Sequence, residues 1–144
     1  MTLVASASEE ETRRAGAALA AQLEPGDAVL IAGDLGAGKT VFVKGLAEGL
    51  GLDPDEVSSP SFALVHEYGP AGRPPVLVHA DLYRLPGAGG GLEDLGLEAR
   101  GGAILAVEWP CPPLTGLDAW RVRIDLAEGG ARRIDVAPPE GRAL

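Results

Sequence analysis

The sequence predicts an α/β fold: an open, mostly parallel central sheet with helices on both faces and antiparallel additions near the C-terminus. Three observations carry this. Residues 28–32, 76–80 and 103–107 are short apolar runs, with His79 their one polar member. Such runs suit strands buried on both faces. Each run leads into a glycine or an acid, at Gly33, Asp81 and Glu108, and open sheets bind ligands beyond the carboxyl ends of their strands. Residues 121–126 instead alternate strictly, as a half-solvated strand does.

Taken in order, Ser8-Glu9-Glu10-Glu11 is a capping box that opens a helix. Leu19 and Leu23, with alanines at 15, 18 and 21, give it an apolar side to about Leu23. Pro25-Gly26-Asp27 is a turn before the first buried strand. A glycine-rich loop at 33–40 follows, then a helix from Thr40 to Leu50, ended by Gly51. Residues 62–68 are strand-like and 69–75 form a turn. The second buried strand ends at Asp81. Residues 87–91 form a flexible glycine stretch, and 92–99 a short helix. The third buried strand ends at Glu108. Gly129-Gly130 turns a hairpin, and 132–136 returns. The tail from Pro138 is expected to be loose.

The 144 residues fit one domain, 1–144, with a core that needs no staples. No run approaches the ~18 uninterrupted apolar residues of a membrane span. The start is acidic at Glu9-Glu10-Glu11 and lacks a signal-peptide pattern. Cys111 is the sole cysteine, so no internal disulfide forms. These features favour the cytoplasm. A net charge of −9 argues against unaided nucleic-acid binding, which calls for a basic face.

Gly33-Asp34-Leu35-Gly36-Ala37-Gly38-Lys39-Thr40 satisfies G-x-x-x-x-G-K-[ST] between an apolar strand and a helix. For this composition a chance match has an expectation of roughly 0.3 %. Glycines let backbone N–H groups curl around a phosphate, and the helix N-terminus adds positive dipole. Lys39 can reach the β- and γ-phosphates, and Thr40 can offer its hydroxyl to magnesium. This phosphate-binding loop (P-loop) makes the α/β fold a three-layer P-loop NTPase-like one.

A magnesium-triphosphate site also needs acids opposite the loop, to hold the metal's water shell and orient an attacking water. Asp81 and Glu108 end separate strands and can share the crevice. Glu108 is expected to be partly solvated. Asp34 either fixes the loop or sits near the γ-phosphate. His79 shares a strand face with Asp81, and a core histidine bonded to backbone is the expected reading, with a proton relay as the minority one. Trp109 packs by default, in a position that allows contact with the nucleotide.

GTPases read guanine with an Asn/Thr-Lys-x-Asp element. This chain has no asparagine, and its lysines are Lys39 and Lys44. ATP is therefore favoured. Two alternatives stay open. A small-molecule P-loop kinase would carry arginines in a lid; residues 86–91 have none, though Arg84 precedes them. A nucleotide-dependent regulatory switch would turn over slowly until a partner arrives.

Four segments in order, GDLGAGKT (33–40), SPSF (59–62), HADLYR (79–84) and EWP (108–110), resemble the TsaE (formerly YjeE) family. The likeness spans about Thr12 to Val136. It implies a small bacterial ATPase of tRNA threonylcarbamoyladenosine (t6A) synthesis. By position, it implies ATP contacts from the loop residues Asp34 to Thr40 and from Val41. Thr40 and Glu108 would bind Mg²⁺, with Asp81 at the metal or its water, so that Lys39, Asp81 and Glu108 form the catalytic set. Thr12 matches a position near the adenine. Ser61 occupies a switch-like place facing the γ-phosphate, Trp109 lies beside the nucleotide, and Arg133, or its neighbour Arg132, approaches it. The resemblance also implies partners, TsaB and TsaD, with tRNA met only through the complex and no membrane. Ser61 stands where the family usually has threonine, and 87–91 is more glycine-rich and less acidic than usual.

Overall fold

The computed structural model describes residues 2–34, 36–57, 65–82, 102–110 and 118–141. They form β1 (Thr2–Ser6), α1 (Glu9–Ala20), β2 (Ala28–Gly33), α2 (Lys39–Gly49), β3 (Val65–Tyr68), β4 (Leu77–Asp81), β5 (Ile104–Glu108), β6 (Trp120–Leu126) and β7 (Arg132–Ala137). The strands make one sheet in the order β1-β7-β6-β2-β5-β4-β3.

The centre of the sheet is parallel, where β2 pairs with β5 and β6, and β4 with β5. Both edges are antiparallel: β3 on β4, β7 on β6, and β1 on β7. The sheet is therefore mixed rather than mostly parallel, and its antiparallel additions are not confined to the C-terminal part. A short turn joins β3 to β4, closed by the Val76 amide donating to Tyr68 O at 2.8 Å. So short a link cannot make the crossover a parallel pair requires. Strand β1 has no counterpart among the sequence expectations.

Ser8 caps α1 as its sequence implies: its Oγ accepts from the Glu11 amide at 3.1 Å. The Glu11 carboxylate accepts in turn from the Ala7 amide, so the box closes one residue further back than usual. The helix stops at Ala20, short of Leu23, which packs half-buried on the core. Helix α2 ends before Gly51, whose φ of +85° allows the chain to turn away.

The two helices lie on one face of the sheet and cross at nearly bare backbone. A Cβ on Gly45 would lie 2.0 Å from Arg13 O, and one on Gly16 would lie 2.2 Å from Phe42 O. Leu19, Phe42, Val43 and Leu46 pack with Val29, Ile31, Trp120 and Ile124 into the main core. Leu30, Val78, Ala80 and Val107 gather on the opposite face, as the period-2 alternation of strands demands. The expected helix at 92–99, the glycine stretch 87–91, Arg84, Cys111 and the expected strand start at 62–64 lie outside the described residues. In the described part of the tail, the Glu140 amide donates to Asp118 Oδ1 at 2.8 Å.

Candidate functional site

The loop at 33–40 leaves the carboxyl end of β2, next to the ends of β5 and β6. Gly33 permits this path: a Cβ there would lie 1.8 Å from Ile124 O. Gly36 and Gly38 hold φ of +75° and +105°, which favour glycine. Gly38 is the N-cap of α2, and no side chain caps that end. The first-turn amides of Lys39, Thr40 and Val41 thus face outward at the positive end of the helix dipole.

Four hydrogen bonds brace the loop. The Asp34 amide donates to Ile124 O at 3.1 Å, and Asp34 Oδ2 accepts from the Leu126 amide at 2.9 Å. Asp34 thus ties the loop to the carboxyl end of β6. From β7, the Arg132 guanidinium donates to Ala37 O at 2.9 Å and Gly36 O at 3.4 Å, and it also reaches Gly130 O at 2.6 Å. Arg133, one residue on, faces the other side and pairs with Asp135 at 3.5 Å. Adjacent strand residues cannot share a face, so the arginine brought to the loop is Arg132. Arg133, the assigned residue, is not.

Lys39 is 4 % exposed. Its Nζ donates to Asp34 O at 2.5 Å and Gly33 O at 3.2 Å, and lies 3.9 Å from the Trp109 ring centroid. Burial lowers its pKa below the usual lysine value, while Glu108, then Asp34, Asp81 and Asp125, pull the other way. Trp109 takes φ of +58°, the one non-glycine residue with positive φ among those described. Its amide donates to Ile31 O at 2.9 Å. The strained turn directly after β5 lays the indole under the lysine.

Glu108 is 3 % exposed, not partly solvated as expected. The reason is its position on a central strand between β2 and β4. It accepts from Thr40 Oγ1 at 3.1 Å (Oε1) and 3.0 Å (Oε2). His79 Nε2 lies 2.5 Å from Glu108 Oε2. The histidine thus meets a carboxylate, not backbone as expected. Half-buried Asp81 stands opposite Glu108 in the β4–β5 register. Thr12 is buried, with its Oγ1 2.7 Å from Ser6 Oγ and its methyl near Gly38. Val41 is half-buried in the first turn of α2. Leu35 and Ser61 lie outside the described residues.

The structure therefore gathers the loop, Lys39, Thr40, Asp81, Glu108 and Trp109 at one end of the sheet. An amide-lined helix end with a lysine beside it fits a phosphate. No group of three His, Cys, Asp or Glu side chains placed to hold a metal occurs among the described residues. The Thr40 hydroxyl with one or two carboxylates suits Mg²⁺, which keeps several waters and takes much of its shell from phosphate. The role of Ser6 and the His79–Glu108 bond carry no motif in the sequence. Two-residue spacing to Asp81 was the one signal for the latter.

Residues 6–134 match the model of the family described as "Threonylcarbamoyl adenosine biosynthesis protein TsaE". A tRNA threonylcarbamoyladenosine biosynthesis protein TsaE of Streptomyces coelicolor is 42 % identical over 81 % of this chain and 80 % of its own length. One from a Nostoc species is 37 % identical over 96 % and 86 %. The crystal structure of YdiB from Bacillus subtilis superposes with a TM-score of 0.68 at 32 % identity, covering 92 % of this chain and 82 % of that one.

Proposed function

Since the chain belongs to the TsaE family of tRNA threonylcarbamoyladenosine biosynthesis, we propose that it is an accessory ATPase, which binds ATP with Mg²⁺ and hydrolyses it in support of that modification. Its partners in this reading are TsaB and TsaD, which hold the tRNA and carry the threonylcarbamoyl chemistry. The acidic charge of −9 suits a protein that meets tRNA only through a complex.

The observation that carries the proposal is the uncapped amino end of α2, with buried Lys39 beside it and the Thr40–Glu108 hydrogen bond at its mouth. The amides of the loop and of the first turn of α2 receive the β- and γ-phosphate oxygens. Lys39 exchanges the carbonyls of Gly33 and Asp34 for a phosphate oxygen, so its ammonium stays paired throughout. Thr40 and Glu108 hold the metal, and Asp81 holds or orients water beside it. Magnesium held by these residues would supply charge neutralisation for the terminal phosphates. Arg132 keeps the carbonyls of Gly36 and Ala37 engaged from behind, and the Asp34 carboxylate ties the loop to the Leu126 amide.

The test is ATP turnover by the chain alone, then with TsaB- and TsaD-type partners added. Slow turnover that rises only with partners is expected. No turnover under either condition, with the protein folded, refutes the ATPase assignment. Turnover without stimulation or association refutes the partnership.

A further inference from the structure

The bond between His79 and Glu108 has no place in the scheme above. His79 is fully buried on β4. Its Nε2 meets Glu108 Oε2, while Nδ1 is buried without a hydrogen-bond partner among the described residues. A proton on Nδ1 would be a buried donor lacking an acceptor, and that is costly. A proton on Nε2 leaves only a lone pair bare and gives Glu108 a donor. The geometry therefore selects the Nε2–H tautomer.

Glu108 accepts from two sides. The Thr40 hydroxyl lies almost equally near both oxygens, at 3.1 and 3.0 Å, and so does not fix the carboxylate's rotation. His79 touches Oε2 alone. It comes from a strand locked to β5 in parallel register, with His79 opposite Ala106. We propose that His79 is a positioning residue: its Nε2–H pins Glu108 Oε2 and turns Oε1 toward the metal position beside Thr40. The inference rests on the magnesium reading above. Partners of this kind behind a metal ligand typically matter 10–100-fold in metal affinity.

Two substitutions separate the hydrogen bond from mere packing. His79→Gln places an amide N–H near the Nε2 position. His79→Asn places it near Nδ1, short of Glu108. Affinity for a non-hydrolysed ATP analogue is measured by calorimetry in EDTA and across a magnesium titration. All three proteins are expected to bind the analogue equally in EDTA. The magnesium half-point of His79→Asn is expected to rise about tenfold or more, with His79→Gln close to wild type. If wild-type affinity responds to magnesium but His79→Asn keeps its half-point, the inference falls alone. It also falls if Gln and Asn lose equally. If wild-type affinity ignores magnesium, the metal reading falls and the inference with it. Should His79→Asn not fold, two-bond ¹H–¹⁵N spectra of the wild-type chain decide: an Nε2–H tautomer supports the role and an Nδ1–H tautomer overturns it.

Discussion

Replacing Gly45 by alanine sets two effects of opposite sign against each other. Alanine is the better helix former by about 1 kcal/mol, so propensity alone predicts a more stable protein. The structure predicts the reverse. The new Cβ would lie 2.0 Å from Arg13 O and 2.9 Å from the carbonyl carbon, and Gly16 Cα is 3.0 Å away. These neighbours are backbone, so no rotamer change relieves the clash and the two helices must part. Overpacking of this kind costs about 1–3 kcal/mol, and a backbone clash belongs near the top of that range. After the propensity gain, a net loss of about 2 kcal/mol remains. For a chain of this length that is a fall in Tm of about 4–8 °C. Thermal unfolding followed by circular dichroism measures it. An unchanged or raised Tm would refute the close crossing of α1 and α2.

Other expectations concern the site. Glu108→Ala leaves the buried His79 donor without its acceptor and should cost about 2–3 kcal/mol, whereas Glu108→Gln keeps an acceptor and should cost less while still weakening the response to magnesium; denaturant titration of both variants checks the order. Arg132→Ala removes charge-assisted bonds to Ala37 O and Gly36 O and should weaken ATP binding about tenfold, while Arg133→Ala should leave calorimetric affinity unchanged. Lys39 has its folded-state pKa lowered by burial. From that lowered value up to about 10.5 the unfolded chain therefore holds the proton more tightly, and stability rises with pH. Wild-type stability minus that of Lys39→Met should climb through this window in urea titrations; a flat difference contradicts the burial argument.

The buried strands were legible because apolar runs flanked by glycine or acid admit few other readings, and β2, β4 and β5 fall within a residue of the expected bounds. The same runs located Gly33, Asp81 and Glu108 at one end of the sheet. Strand β1 was not legible: five residues carry little periodicity, and its reason to be a strand is its partner β7. The mixed character of the sheet was hidden for a related reason, since pairing direction depends on connections, not on the strands' own residues. Glu108 reads as a solvated end because only its neighbours in the sheet bury it. Arg132 and Arg133 are indistinguishable by composition, and the β6–β7 register decides which meets the loop.

In the proposed function, the loop at 33–40 takes the phosphates of ATP together with magnesium. Calorimetric titration of a non-hydrolysed ATP analogue into the wild-type chain and into Lys39→Ala, each with and without Mg²⁺, tests it most directly. Wild-type binding that magnesium tightens, and loss of binding in Lys39→Ala, are the expected results. Equal binding by both proteins, or no binding by the folded wild-type chain with magnesium present, would contradict the proposed function.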